Sequence, residues 1–579
     1  MKPKDDNVAR QMKSLADPKT FDQIKEACVH EVKVLFLVHS TFEPLVDLLR
    51  ASLSLDRIWL TADIGPYGCF DLCEVCRQLS DNSSFDYIYI NVSSLSICFE
   101  EVEQELKRWQ QLWNEAHEQF GCRIIQETFL NELAIGDKNS RIRDANGNGT
   151  RIARLNLALG ASAPDWVLFN DVAALAADFG RSNWIDYRLY DFAKMPASAA
   201  GQRITAESAR SIIAADFGLM KKCIVLDLDN TLWGGVVGEE GIRGIHVGQD
   251  DPKGEPYYRF QVMLSELASR GILLAICSKN DHDVAFDAFC NKEGMVLTKD
   301  HISAFYANWD SKTHNIMRIA EELNILLASM VFFDDSPLER ELVKNTLPEV
   351  VVVETSGMPS NYASELSKTF LFESNRLTAD DLSRTRMYRE EQQRKTLFND
   401  RKINRWDVVK SLKIEVTIEL LTEHNERVLQ LINKTNQFNL NGLRLSEREY
   451  YEHFQDENID LVAVRASDRY GDYGIISGLL LKKNEAERNI EVLSWVLSCR
   501  VFERYIEEAI TTELAKKYAS EGYVNLSFNY IETPKNKRVK NFFRDCGMTE
   551  SSGVQPNKQW LASLSNLSDL VTPYVAKII

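Results

Sequence analysis

Between residues 31 and 200 the chain alternates short runs of strand-forming residues, V-K-V-L-F-L-V, R-I-W-L-T, D-Y-I-Y-I-N-V, C-R-I-I-Q and W-V-L-F-N, with helix-patterned stretches such as Phe99 to His117. Strands separated by helices pair in parallel and bury both faces, so the segment is restricted to a covered parallel sheet. The pattern restarts further on, where strand-like Cys223 to Leu226, Ile272 to Cys277 and Met330 to Asp334 are separated by helix-like Tyr257 to Arg270 and Lys312 to Leu323. Beyond residue 412 it changes. A helix around Glu423 to Lys434 is followed by L-V-A-V-R-A, G-I-I-S-G-L-L-L-K and I-E-V-L-S-W-V-L-S with no helix between them, and only then by Phe502 to Tyr518. Consecutive strands call for an antiparallel or mixed sheet. The expected organisation is an α/β multidomain chain: a helical lead over 1–30, an α/β domain over 31–200, a second over 201–376, a charged helical linker over 377–411 and a mixed α+β domain over 412–579. A chain of 579 residues is long enough for three or four cores.

Lys and Arg number 68 against 85 Asp and Glu, a net charge of -17, which argues against a general nucleic-acid binder. The start, M-K-P-K-D-D-N-V-A-R-Q-M, lacks an apolar signal core, and no uncharged apolar run is long enough to cross a bilayer. A soluble cytoplasmic protein with no membrane partner is expected. Eleven cysteines in so long a chain do not make a disulfide scaffold, and they should be mostly reduced. Three of them, Cys69, Cys73 and Cys76, have the C-x3-C-x2-C spacing of an iron-sulfur signature, but the same stretch reads as a helix with its thiols at core positions.

Four elements carry chemistry, in chain order. Asp227 and Asp229 end the first strand of the second α/β domain in D-L-D-N-T; Ser278 follows L-L-A-I-C in S-K-N; Lys312 opens a helix after N-W-D-S; Asp334 and Asp335 end V-F-F in D-D-S-P. Open parallel sheets place ligands at the carboxyl ends of their strands, so all four would meet at one edge. Carboxylates crowded there need a hard divalent cation, and magnesium suits them. Asp227 would attack phosphorus, with Lys312 and the Ser278 hydroxyl offsetting charge on the phosphoryl oxygens, while Asp229 protonates the leaving oxygen and then activates water.

These motifs resemble those of the haloacid dehalogenase superfamily, and L-W-G-G-V-V-G-E-E-G, D-D-P-K-G-E-P-Y-Y-R-F-Q, N-W-D-S-K-T-H-N-I, K-T-N-Q-F-N-L and S-C-R-V-F narrow the likeness to its FkbH-like family over nearly the whole chain. The resemblance implies a central Rossmann-like domain with Asp227 as nucleophile, Asp229 as acid and base, Ser278, Lys279 and Lys312 on phosphate, and Asp227, Asp229, Asp334 and Asp335 on Mg2+. It further implies an enzyme that takes a glyceryl unit from 1,3-bisphosphoglycerate and delivers it as a thioester to the phosphopantetheine of an acyl carrier protein in polyketide or related biosynthesis. A plain small-molecule phosphatase and a pathway scaffold are the alternatives.

A protein thioester would need a cysteine, and Cys277 beside Ser278 and Cys499 in S-C-R-V-F are the candidates. The final domain resembles the GCN5-type acyltransferase fold, although Glu503 and Tyr505 stand where the coenzyme A loop of that fold carries glycines. Its groove could still receive a carrier-borne pantetheine, and Lys535, Lys537, Arg538 and Lys540 offer a basic docking patch. The first α/β domain resembles the flavodoxin-like SGNH esterases, with Ser40 after its first strand. Leu189 stands where their histidine would follow Asp186, so the domain reads as a degenerate scaffold in which Ser40 and Thr41 cap the next helix.

Overall fold

The computed structural model describes residues 3–78, 84–94, 101–131, 143–375, 404–435, 437–533, 536–551 and 557–579. Two compact units emerge: Met1–Phe217 with Leu445–Glu452, and Gly218–Arg444 with His453–Ile579. Among the described residues no helix is long and apolar enough to cross a membrane.

The first unit is built on five parallel strands, β1 (His30–Leu37), β2 (Ile58–Ile64), β3 (Tyr87–Ile90), β4 (Arg123–Glu127) and β5 (Val167–Asn170), in the order β2-β1-β3-β4-β5. Strand side chains alternate between faces. Leu35 and Leu37 therefore pack with Trp109 and Trp113 of the helix Val102–Phe120, while Val34 and Phe36 meet Leu49 and Leu53 of Glu43–Leu55 and Ala206, Ala209 and Ile213 of Ala199–Asp216. That last helix was expected to open the second domain at residue 201. Its buried alanine and isoleucine stripe instead completes the first core, and the border falls after Phe217. A short helix, Leu72–Gln78, carries Cys73 and Cys76 just beyond Cys69, but its buried positions are Leu72 and Val75; Cys73 is exposed and the other two are half-buried, so the thiols do not form the core expected of them.

Two sheets make up the second unit. The first is fully parallel, with β6 (Cys223–Leu226), β7 (Leu273–Ser278), β8 (Ile302–Ala307), β9 (Met330–Phe333) and β10 (Val351–Val352) in the order β10-β9-β6-β7-β8. β6 lies at its centre, buried on both faces, which is why its sequence is apolar without alternation.

The other sheet has eight strands: β11 (Glu415–Leu420), β12 (Ile459–Asp468), β13 (Gly471–Asn484), β14 (Asn489–Leu497), β15 (Asn525–Ile531), β16 (Thr549–Ser551), β17 (Asn557–Ser563) and β18 (Lys577–Ile578). Its pairs are antiparallel except β14 with β15 and β11 with β18. Val409 and Leu412 of the helix Arg405–Leu412 belong to its core, so this domain begins before residue 412. The rest of the expected linker, 377–403, lies outside the described residues.

β14 and β15 pair only over Asn489–Val492 and Asn525–Phe528, and then diverge. The gap is filled by the chain itself. Leu440 N–H donates to the Trp495 carbonyl at 3.0 Å, Leu497 N–H to the Phe438 carbonyl at 3.0 Å, and Ile531 N–H to the Leu440 carbonyl at 3.3 Å. The Asn441 amide donates to the Leu493 carbonyl at 2.9 Å. Buried backbone groups must find partners, and K-T-N-Q-F-N-L supplies them. Residues 438–441 thus fill the gap between β14 and β15.

Candidate active site

Asp227 follows β6, Ser278 ends β7, Lys312 begins the helix Lys312–Glu322 after β8, and Asp334 and Asp335 follow β9. All four segments reach the carboxyl edge of the central sheet. Lys312 Nζ lies 2.9 Å from Asp227 Oδ1 and 2.5 Å from Asp334 Oδ2, with all three side chains buried. Carboxylate oxygens of Asp227, Asp334 and Asp335 lie within 4.8 Å of one another. Three carboxylates against one ammonium leave a deficit of two positive charges, and an all-oxygen donor set of this kind fits Mg2+.

The environment shows how close the balance is. Burial first, and the Asp227 charge second, push the Asp334 carboxyl up to about 7 against the lowering effect of Lys312. Asp335 is raised for the same two reasons. Burial alone would push the Lys312 ammonium down, but the two carboxylates outweigh it and hold it above the ordinary lysine range. The D-D turn is fixed from behind: buried Arg340 Nη1 donates to the Asp334 and Asp335 carbonyls, both at 2.8 Å, and Asp334 Oδ1 accepts from Ser336 N–H at 2.9 Å. Thr231 Oγ1 accepts from Asp335 N–H at 3.2 Å.

Asp229 does not join the three-carboxylate cluster with its side chain. Its Oδ1 accepts from Trp233 Nε1 at 2.8 Å and Val237 N–H at 3.1 Å, and its Oδ2 from Asn280 Nδ2 at 2.9 Å. Asn230, which follows Asp229, has a φ of 55° and turns the chain into the loop whose Gly235 N–H donates to the Asn230 side chain at 3.0 Å. Asn280 also donates to Ser278 Oγ at 3.2 Å, tying the serine to the acid/base candidate. The Lys279 ammonium, expected on phosphate, pairs with Glu339 at 2.6 Å and is substantially exposed.

Neither cysteine candidate faces this cluster, although Cys277 lies near the edge, its thiol donating to the Lys312 carbonyl at 3.6 Å. Cys277 precedes Ser278 on β7 and faces the opposite side, packed with Cys223, Ala275 and Ile316; burial, the largest influence, raises its thiol beyond the range in which it ionises. Cys499 sits in a cavity of about 120 Å3 with Lys222 and Leu273, at the amino-terminal edge of the same sheet, and its thiol donates to the Asn324 carbonyl at 3.3 Å. The length of β6 separates the two edges, about 16 Å between Lys222 and Asp227 at roughly 3.3 Å per residue.

Of the expected docking patch, Arg538 stacks on Phe502 at 4.2 Å and approaches Glu507 at 3.7 Å, and Lys540 pairs with Glu532 at 2.9 Å. Lys537 is exposed, and Lys535 lies outside the described residues. Arg538 and Lys540 thus face carboxylates of their own domain. Glu503 and Tyr505 have φ of 69° and 59°, so the loop keeps a glycine-like backbone with side chains that pair with Arg405 and pack on Trp406.

In the first unit, Ser40 Oγ donates to Asn91 Oδ1 at 2.7 Å, and Asn91 Nδ2 donates to Glu127 Oε2 at 2.6 Å. Among the described residues no histidine orients the serine; His39 packs on Phe70, and burial first, with Arg108, lowers it to about 4. Asp186 caps the helix Tyr187–Ala193. Ser40 and Thr41 do not cap the helix after β1, whose cap position is Phe42 with no side-chain bond.

Sequence reasoning missed Asn280, Trp233 and Arg340. Asn280 and Trp233 adjoin the recognised motifs in S-K-N and L-W-G-G, but their work depends on bonds between loops.

A parallel sheet whose central strand leads into Asp227, bridged by Lys312 to Asp334 after the adjacent strand β9, defines a haloacid-dehalogenase-like phosphatase domain, and the chain contains one. In particular, it is similar to the crystal structure of the N-terminal part of the protein BF1531 from Bacteroides fragilis, which contains a phosphatase domain complexed with Mg: 29% identity over 62% of this chain and 99% of that one, with a TM-score of 0.55. Slighter likenesses are to a domain from Methanocaldococcus jannaschii (14% identity, 26% of this chain and 99% of that one, TM-score 0.22) and to the PaiA N-acetyltransferase from Thermoplasma acidophilum in complex with coenzyme A (14%, 20% and 71%, TM-score 0.18). No family model matches the chain, and no curated protein matches it.

Proposed function

We propose that the protein is a magnesium-dependent phosphohydrolase that works through an aspartyl phosphate on Asp227. The observation that supports it most is Lys312 bridging Asp227 and Asp334 inside a three-carboxylate cluster. The BF1531 structure, complexed with Mg, supports the choice of cation. Bound to Asp227, Asp334 and Asp335, Mg2+ would offset charge on the phosphoryl oxygens.

The chemistry is a two-step displacement. An Asp227 oxygen attacks phosphorus, the ester P–O bond breaks, and protonated Asp229 gives its proton to the leaving oxygen. Asp229 then takes a proton from water, whose oxygen attacks the phosphorus, releasing inorganic phosphate and restoring Asp227. Asn280 and Trp233 hold Asp229 where both transfers occur. Lys312 stabilises charge on the transferring group.

The finer reading is that the substrate is 1,3-bisphosphoglycerate and that the glyceryl unit goes to the phosphopantetheine thiol of an acyl carrier protein. Hydrolysing the acyl phosphate would waste the activation that a thioester needs, so in this reading Asp227 removes the phosphomonoester at the other end, while a thiol takes the acyl group and expels the second phosphate. The wide separation of Cys499 from Asp227 favours two such separate events. Incubating the protein with 1,3-bisphosphoglycerate, magnesium and a phosphopantetheinylated carrier should give a glyceryl mass gain on the carrier and two phosphates released per unit loaded. Phosphate release with an unmodified carrier would leave the phosphohydrolase and remove the transferase.

A further inference from the structure

Asp229 can give up a proton only while its carboxyl points at the leaving oxygen, and a sharp turn sets that direction. Residues 229–235 double back so that Trp233 Nε1 reaches Asp229 Oδ1 at 2.8 Å. Asn230 stands in this turn at a φ of 55°, a left-handed conformation that persists in a residue other than glycine where its surroundings hold it. Two buried side chains from outside the loop supply that hold. Tyr362, 1% exposed, opens the helix Tyr362–Ser367, and its hydroxyl donates to the Asn230 carbonyl at 3.2 Å. Gln261, fully buried on the helix Glu255–Ser269, donates from Nε2 to the Leu232 carbonyl at 2.7 Å. Neither donor is free to swing. The Tyr362 ring packs edge-on against Phe333 at 5.2 Å and Phe260 at 5.7 Å, and Gln261 Oε1 accepts from the N–H groups of Val296 and Leu297 at 2.9 and 3.0 Å. Burial first, and Asp335 second, raise the Tyr362 hydroxyl above the ordinary tyrosine range, so it remains a donor at neutral pH.

We propose that Tyr362 and Gln261 are positioning residues for Asp229: by holding the carbonyls of Asn230 and Leu232 they fix the turn that aims the Asp229 carboxyl, and so set how well the enzyme expels alcohols that must leave with a proton. The inference rests on the reading of Asp229 as proton donor. Both residues act through the backbone. Their loss should be felt only in part, since Val237 N–H and Asn280 still hold the Asp229 carboxyl. On the far side of the turn, Thr231 Oγ1 accepts from Asp335 N–H, so slack there has two places to go, the proton donor and the metal carboxylates. The two are told apart by different measurements.

The test is leaving-group dependence. p-Nitrophenyl phosphate releases a stable phenolate and needs little protonation, whereas ethyl phosphate would release an alkoxide and needs the full transfer. In Y362F, kcat/KM, which covers the steps up to release of the alcohol, should fall about tenfold on ethyl phosphate and less than about twofold on p-nitrophenyl phosphate. The magnesium concentration at half-saturation should not move. Q261E keeps the acceptor for Val296 and Leu297 but loses the donor to Leu232, and it should show the same split, so the outcome does not depend on one variant folding. A role in packing alone would lower both esters together. D229N, run beside them, should show the same preference more strongly; equal losses on the two esters in D229N would overturn the proton-donor reading and the proposal with it. Where D229N does discriminate, equal losses on both esters in folded Y362F and Q261E, no loss in either, or a change confined to magnesium half-saturation overturns the proposal alone.

Discussion

At the scale of residues, function rests on how five side chains share charge. Lys312 bridges Asp227 and Asp334 beside Asp335, and Asp229 is held apart from them by Trp233, Asn280 and the Val237 N–H. Replacing Lys312 by Met leaves buried carboxylates without their internal counter-charge, which costs about 3–5 kcal/mol in the metal-free protein. Magnesium should restore more of the thermal stability of K312M than of wild type, and activity should stay lost; a melting temperature equal to wild type without metal would contradict the balance described. The pH dependence has a definite sign. A carboxyl raised in the folded state, to about 7 for Asp334 from an ordinary 3.8, holds its proton more tightly folded than unfolded. Metal-free stability should therefore fall as pH rises from about 4 through about 7, and D334N should flatten that fall. Magnesium must displace the proton, so its apparent affinity should weaken by up to about tenfold per pH unit below 7. Calorimetric melts and magnesium titrations at pH 5 and 8 test both signs.

Among the elements, the segment 438–441 decides what the last domain can do. Phe438 is fully buried, its ring 5.1 Å from Trp495 and 6.0 Å from Phe542, and Asn439 Oδ1 accepts from Gly442 N–H at 2.8 Å. F438A should destabilise the protein by about 3–5 kcal/mol, measured by urea unfolding. With the gap between β14 and β15 filled, coenzyme A should produce no saturable thermal shift in the wild type; a clear one would mean that the segment moves aside. These features also mark what the sequence could and could not reveal. The clustered aspartates Asp227 and Asp334 were legible because each follows directly on a buried strand, where a carboxylate is conspicuous. The parallel sheets were legible from alternation. The filled gap was not, since Leu440 meets Trp495 and Ile531 far along the chain, and the first border was misread because the helix Ala199–Asp216 could pack equally well, by pattern alone, on either neighbouring sheet. Nothing in the motif of Cys499 told where it lies; the direction of the sheet puts it at the other edge.

At the scale of the whole molecule, the carboxylate cluster lies at one edge of one sheet, and the first unit has no assembled nucleophile–histidine pair among its described residues. C499A should release phosphate from a small ester at the wild-type rate and, if the transferase reading holds, fail to load a carrier; a parallel loss of both would join what the sheet separates. The central claim is that Asp227 and magnesium together carry out phosphate release. Its most direct test is the initial rate of phosphate release from a small phosphate monoester as magnesium is titrated into metal-free wild type and D227N, both checked for native folding by circular dichroism. The account predicts no turnover without metal, a saturable rise in wild type, and a rate at least about a thousandfold lower in D227N at every magnesium concentration. Wild-type-like release by folded D227N, or by wild type stripped of metal, would contradict it.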